Sequence, residues 1–422
     1  MIKNFLAITT IFFSVVGIAQ KTNSSPYSFF GIGDQVNLKS VEEMAMGSMG
    51  GILDSEYRLS LTNPATYASL QWTTYVFAGG NKFTNFDDGE NSQTSSHTSF
   101  TYIAMGIPIR GNQGLGLGLQ LNTSVGYTLL DAKYDTDDVL IQTNLYEGKG
   151  GTNRVFLGYA YKFPFNLNLG IETAYLFGGI DNSILNRRLN VQLATKHKVD
   201  SYVKGFEFKT GALYKHNFAN DLNVKVGTSF TLGHDLTQEG DEYLFTLDNT
   251  NDVIDIPKDT LYSNNLNGQV KYPLKTVLSA GIGQQNKWFV GAEYTFTDAL
   301  ELTGSFYNDQ DVYRYINSNI ISVGGYFTPK YNSISNYWQR LTYRAGFNYK
   351  NIGLEINDTQ IKDYGISFGI SLPMGLTLSN VNLGFELGQR GETTGNLLKE
   401  NYFNFRLSLS LNDKWFRKRM LN

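Results

Sequence analysis

Apolar and polar side chains alternate along most of this chain. Leu115, Leu117, Leu119, Leu121, Val125 and Tyr127 are interleaved with Gly116, Gly118, Gln120, Asn122, Ser124 and Gly126. Successive side chains of a strand point to opposite faces, so this dyad period predicts a strand with one apolar and one polar face, which no helical period produces. The pattern recurs in Val155-Leu157-Tyr159-Tyr161-Phe163, Leu167-Leu169-Ile171, Leu222-Val224-Val226-Phe230-Leu232 and Trp288-Val290-Ala292-Tyr294-Phe296. Toward the C-terminus it continues through Leu341 to Tyr349, Ile366 to Leu372, Val381 to Leu387 and Phe403 to Leu411. The last run is interleaved with Tyr402, Asn404, Arg406, Ser408 and Ser410, and other runs place Arg154, Lys162, Glu172, Lys225, Glu293, Arg344 and Glu386 on the polar face. Charges of both signs at alternate positions suit a wet lumen of mixed charge and not lipid.

Short turns at Gly111-Asn112-Gln113, Pro164-Phe165-Asn166 and Pro373-Met374-Gly375 contrast with long polar stretches at 179–200, 234–272 and 299–335, which read as loops. Tight turns at one end and long loops at the other are the pattern of an outer-membrane barrel. A soluble sandwich also alternates, but its strands average only about five to six residues. The reading is therefore an all-β fold, a transmembrane antiparallel β-barrel of about 14 strands, each near ten residues long, with a long loop after every second strand. It occupies residues 71–412.

The chain opens with Lys3 and an apolar stretch from Phe5 to Val16, followed by small residues at Gly17 and Ala19. That is the form of a secretory signal peptide over residues 1–19, too short in its apolar core to span a bilayer. No later apolar run is long enough for a membrane helix, so any crossing is by strands. The 27 Tyr and 28 Phe suit aromatic girdles and a lipid-facing wall. With no cysteine there is no lipoprotein anchor, disulfide or thiolate, and a net charge of -3 argues against nucleic acid. The predicted setting is the outer membrane of a Gram-negative bacterium, with membrane lipid as the surrounding partner.

Residues 20–70 do not alternate. They include Ser25-Pro26-Tyr27-Ser28-Phe29-Phe30-Gly31-Ile32-Gly33-Asp34, a Met- and Gly-rich run from Met44 to Gly51, and Leu61-Thr62-Asn63-Pro64-Ala65. This composition predicts a compact, adaptable piece suited to filling a lumen. Here the sequence resembles the FadL family of outer-membrane channels for hydrophobic compounds, in its Bacteroidota form. The resemblance rests on the Ser25–Asp34 segment, on Asn63-Pro64-Ala65 where the family has its hatch motif, and on the C-terminal run from Glu386 through Gln389-Arg390-Gly391 and Lys399-Glu400-Asn401-Tyr402-Phe403 to Trp415-Phe416. It covers both ends of the chain, while the middle matches only in pattern. It implies a 14-stranded barrel with an N-terminal hatch over 20–70, and lateral release of a hydrophobic ligand, or a detergent in its place, from the lumen. The candidate hatch residues are Tyr27, Phe29, Phe30, Asn63, Pro64 and Ala65. For Asn63 the plainer alternative, which turn chemistry favours, is an Asx-Pro turn that only starts the first strand.

A search for catalysis finds no candidate residues, and no cofactor is implied. Of the four histidines, His97 falls in a Ser/Thr-rich loop, His197 in a basic loop and His216 at a turn, while His234 adjoins Asp235 at a predicted rim, where a solvated loop start is the simpler reading. No histidine spacing predicts a zinc site, and the acidic stretch Asp241, Glu242, Asp248, Asp252, Asp255 and Asp259 lacks the spacing of a calcium loop, so no metal is expected. The tail 413–422 combines Trp415 and Phe416 with basic residues, as interfacial anchors do. Two readings stand: a passive channel for long-chain fatty acids or similar molecules, and a FadL-like plug or shuttle subunit of the Bacteroidota type 9 secretion machinery with a translocon protein as partner. The discriminating feature is the wall, either laterally open beside an apolar pocket or sealed around a polar-filled lumen.

Overall fold

The computed structural model describes residues 24–109, 111–218, 221–248, 257–307, 313–375 and 378–414. Its barrel strands are β1 (Thr73–Asp87), β2 (Ser92–Ile109), β3 (Gln113–Tyr134), β4 (Leu140–Phe163), β5 (Leu167–Arg188) and β6 (Leu193–Asn217). Next come β7 (Leu222–Thr231 continuing as His234–Asp248), β8 (Pro257–Tyr272 and Lys275–Gln284), β9 (Trp288–Thr297 and Glu301–Gly304) and β10 (Tyr313–Tyr315 and Ser318–Phe327). The last four are β11 (Thr342–Ile356), β12 (Thr359–Pro373), β13 (Asn380–Arg390) and β14 (Lys399–Asp413). Neighbours are antiparallel throughout, and β14 pairs with β1 from Lys399↔Asp87 to Asp413↔Thr73, closing the sheet. This is the 14-strand barrel expected from the alternation. In β14, Tyr402, Asn404, Ser408 and Ser410 are buried toward the interior and Leu407 is exposed outward, as the sequence predicts. The proposed signal peptide and residues 415–422 lie outside the described residues.

The strands are longer than expected. β3, β4, β5 and β6 have 22, 24, 22 and 25 residues, whereas a tilted membrane strand needs about 9–11. The stretches 179–200 and 234–272 are accordingly not loops: among their described residues all but the turn at 189–192 are strand. Nor is 299–335 one loop, since it contains the end of β9 and all of β10. His97 and His197 lie within β2 and β6, and Asp241, Glu242 and Asp248 within β7. Above the lipid both faces of a strand meet water, so the alternation that marks a membrane strand disappears and the sequence reads as loop. The upper parts of β3 to β8 thus form a wall reaching roughly 40 Å past the bilayer, while β1, β2 and β11 to β14 end lower.

The wall also parts. β2 and β3 pair only from Tyr102↔Gln120 to Ile109↔Gln113. Above that level Ser92–Phe100 pairs with β1 alone and Leu121–Tyr134 with β4, leaving a lateral gap. A register shift between Leu121 and Thr123 marks a bulge at the base of this gap. A one-residue slip exchanges the two faces of a strand. Leu117 is therefore exposed outward, as predicted, but Val125 and Tyr127 are buried inside, contrary to the unbroken run read from sequence. Two glycine pairs in the wall behave differently: Gly79 of Gly79-Gly80 adjoins a register shift against β2, whereas Gly324-Gly325 pairs regularly on both sides. Gly324 instead gives room to the interior segment, because a Cβ there would lie 2.3 Å from the Met46 carbonyl oxygen.

Candidate functional site

Residues 24–72 pack inside the barrel against its inward-facing side chains. At the upper level, Ser25-Pro26 opens a 3-10 turn, Pro26–Phe29. The chain then extends along the gap, where Asp34 and Gln35 pair with Ser124 and Thr123, and the Val36 N–H donates to the Asn122 carbonyl at 2.9 Å. Arg390 holds Asp34 with two parallel bonds of 2.6 and 2.7 Å. The exposed edge of β3 is thus capped by the protein's own chain.

The three aromatic candidates meet here. Tyr27 is buried, donates to the Leu398 carbonyl at 2.5 Å and lies under the Arg390 guanidinium, whose Cζ is 4.9 Å from the centre of the Tyr27 ring. Burial, reinforced by Glu400, pushes the Tyr27 phenol well above its ordinary range, so it stays protonated as a donor. Phe30 packs on Tyr313 at 4.9 Å between ring centroids. Phe29 touches Phe30 and Tyr127 edge-on at 5.3 and 5.4 Å yet remains 42% exposed. Around them, Ile32, Val125, Leu176, Ile180, Val203 and Leu236 form an apolar cluster inside the upper barrel.

Lower down, the chain turns through a short helix, Val41–Met44, fixed by a reciprocal Ser40/Glu43 capping box. Glu43 is fully enclosed; burial raises its carboxyl pKa above the ordinary carboxylate value, against the hydrogen bonds from Ser60 and Ser40. Asn63, Pro64 and Ala65 lie at this lower level and do not touch the aromatic trio. Asn63 caps the 3-10 turn Pro64–Ser69, accepting from the Ala65 N–H at 3.0 Å. The Asx-Pro turn is therefore real, but it starts this turn and not the first strand, which begins at Thr73. The Asn63 amide further donates to the Gly51 carbonyl at 2.8 Å and to the Ala212 carbonyl of β6 at 3.1 Å, linking the interior segment to the wall. A Cβ on Gly211 would stand 2.0 Å from Asn63 Oδ1. Gly211→Ala is expected to unseat Asn63 and lower stability by about 1–3 kcal/mol; a thermal midpoint equal to wild type would remove Asn63 from this role.

The lower lumen is held by charge. Arg154, 1% exposed, donates to Glu172, to Glu207 at 2.7 and 3.0 Å and to Gln120 at 2.8 Å, and Tyr67 reaches Glu172 at 2.7 Å. Lys39 pairs with Glu293, whose other oxygen accepts the Gly50 and Gly51 N–H groups at 2.9 and 2.8 Å. Lys225 pairs with Asp54, and Arg406 with Glu386 at 2.7 Å. The alternation had placed Arg154, Glu172, Lys225, Glu293 and Glu386 on this face correctly. The period does not disclose their partners: the Arg154–Glu172 pair, Lys225 and Glu293 are packed against residues 39–67, and Glu386 is held within the wall by Asn404 and Arg406. Lys162 is exposed at the periplasmic mouth.

The model of the BamG family matches residues 1–422. The chain belongs to the BamG family. No curated protein matches this BamG-family chain. Among solved structures it is similar to a FadL homologue of Pseudomonas aeruginosa, with a TM-score of 0.58 and 12% identity over 90% of this chain and 99% of the other. It is also similar to the Pseudomonas putida toluene transporter TodX (TM-score 0.56, 14% identity, 89% and 98% coverage) and to the CymD monoaromatic hydrocarbon channel (0.53, 14%, 90% and 98%). At these identities the likeness is one of fold, and it is the FadL-type outer-membrane barrel that the resemblance implied.

Proposed function

We propose that this BamG-family protein is an outer-membrane channel for hydrophobic small molecules, of the long-chain fatty acid kind, which enter from outside and leave sideways into the membrane. The observation that carries this reading is the parting of β2 and β3 above Tyr102 and Gln120, next to the aromatic cluster of Phe29, Phe30 and Tyr127. Residues 20–70 act as the hatch. Its upper part, Tyr27 to Val36, is the moving element, because it closes the gap with a few backbone bonds and one ion pair. Asn63, Pro64 and Ala65 anchor the static lower part. Two of the similar structures, a toluene transporter and a monoaromatic hydrocarbon channel, support the hydrophobic ligand class.

The test is purification in mild detergent followed by native mass spectrometry. Wild-type protein is expected to carry a fatty acid or a detergent molecule in its place, and Phe29→Ala with Tyr127→Ala to lower its occupancy by on the order of tenfold. Full occupancy in the double variant would exclude the cluster as the ligand site. A second reading, a plug or shuttle subunit of the type 9 secretion machinery, draws support from the ion-paired lower lumen, which offers a solute no way through. A lipid-free preparation bound stoichiometrically to a translocon barrel would favour it.

A further inference from the structure

A cavity of about 240 Å³ opens at the periplasmic mouth, bounded by the interior segment above and by the tight turns β2–β3, β4–β5, β6–β7 and β8–β9 around it. Its lining includes Tyr57, Arg58, Trp288, Tyr326 and Arg344. Arg344 projects inward from β11 and is 4% exposed. One of its nitrogens, Nη1, donates to Ser371 at 2.5 Å. Nε and Nη2 have no hydrogen-bond partner among the described residues, and neither does Nε of Arg58. A guanidinium presents a rigid fork of donors matched to a carboxylate or phosphate, and buried donors are ordinarily satisfied.

The acidic groups of the cavity do not meet this demand. Asp54 is taken by Lys225, and Glu56 is solvent-exposed and forms no ion pair with either arginine among the described residues. Glu43 is held by Ser40 and Ser60. Glu42 lies within electrostatic reach of both arginines. It forms no ion pair with either among the described residues, and its Oε1 accepts from Asn382 at 2.8 Å. Two like charges therefore face one cavity with three unmatched donors between them. Lys162 and Lys215, at the rim of the same cavity, add positive potential along the approach. Space does not limit the ligand, since a water occupies only about 30 Å³ in the liquid.

We propose that Arg58 and Arg344 form an oxyanion-binding site at the periplasmic mouth, which takes a carboxylate or phosphate group offered from the periplasm. The site is separate from the apolar cluster by the gap and does not depend on the channel reading. The arginines supply the fork, Tyr57 and Tyr326 bound it, and Glu42 competes with the ligand for the same donors.

Calorimetric titration of the full chain in detergent tests this, with inorganic phosphate and N-acetylglycine as separate probes and chloride added to match ionic strength. Saturable binding of one or both is expected, and the stronger probe tells phosphate from carboxylate as the source. Arg344→Gln and Arg58→Gln should each weaken it by on the order of tenfold or more. Arg344→Lys, which keeps the charge but not the fork, should weaken it less. Glu42→Gln should tighten it, a change that a purely structural arginine pair would not produce. Each variant is first checked for folding by its heat-modifiable migration; should Arg344→Gln not fold, Arg58→Gln, outside the barrel wall, carries the test. Three results overturn the proposal: no binding of either probe to wild type, binding that appears only in Glu42→Gln, or binding unchanged in both arginine variants and abolished by chloride, which would assign it to the rim lysines.

Discussion

Replacing Arg154 by alanine is expected to destabilise the barrel by about 3–5 kcal/mol, because it leaves buried carboxylates without their partner. Arg154 joins Glu172 of β5, Glu207 of β6 and Gln120 of β3, and stacks on Phe156 at 5.3 Å, so a single side chain ties three strands together. Lys209 remains 3.2 Å from Glu172, which leaves Glu207 as the group most exposed to the loss. The cost lies in the orphaned charge more than in the missing bonds. Arg154→Met combined with Glu207→Gln should thus recover most of the stability. The midpoint of heat-modified migration on gels reads both effects. A single variant as stable as wild type would mean that water reaches Glu207 freely and that the lower lumen is open.

Locking the interior chain to the wall is expected to abolish lateral passage. Gln35 and Thr123 are direct Cα partners in an antiparallel pair, a separation within the range a disulfide spans. Because the chain has no cysteine of its own, Gln35→Cys with Thr123→Cys creates one defined bridge. Oxidised, the variant should bind ligand while its uptake falls to that of cells lacking the protein; a reductant should restore uptake. Uptake unchanged by a bridge confirmed on peptide mapping would show that residues 34–36 never leave the gap during transport. Arg390→Ala should act in the opposite sense by freeing Asp34, which hydrogen exchange of the Asp34–Val36 amides would register as faster opening.

How far the sequence discloses this depends on what surrounds each residue. β14 is legible because lipid bounds one face and the lumen the other, so every second side chain from Phe403 to Leu411 is constrained. The upper halves of β5, β6 and β7 are not, since water bathes both faces and any polar residue is tolerated. Val125 and Tyr127 illustrate a subtler failure: the alternation is unbroken on paper, but a bulge at Asn122 exchanges the faces, and no local signal distinguishes a slipped strand from a regular one. The interior charges were placed on the correct face by period alone. Their partners were not, because the Asp34–Arg390 pair spans most of the chain, and only barrel closure brings its members together. Asn63 was read correctly as a turn residue; its bond to the β6 backbone is a tertiary contact without a sequence signature.

The unequal rim, tall along β3 to β8 and low elsewhere, gives the molecule a front and a back in the plane of the membrane. The lateral gap lies where this palisade begins, beside its first strand. A body drifting along the cell surface from the tall side meets a screen; one from the low side reaches the gap unobstructed. Encounters at the gap are therefore governed by the barrel's rotation about the membrane normal as well as by lateral diffusion, and neighbours that fix that rotation would set which surroundings the gap faces.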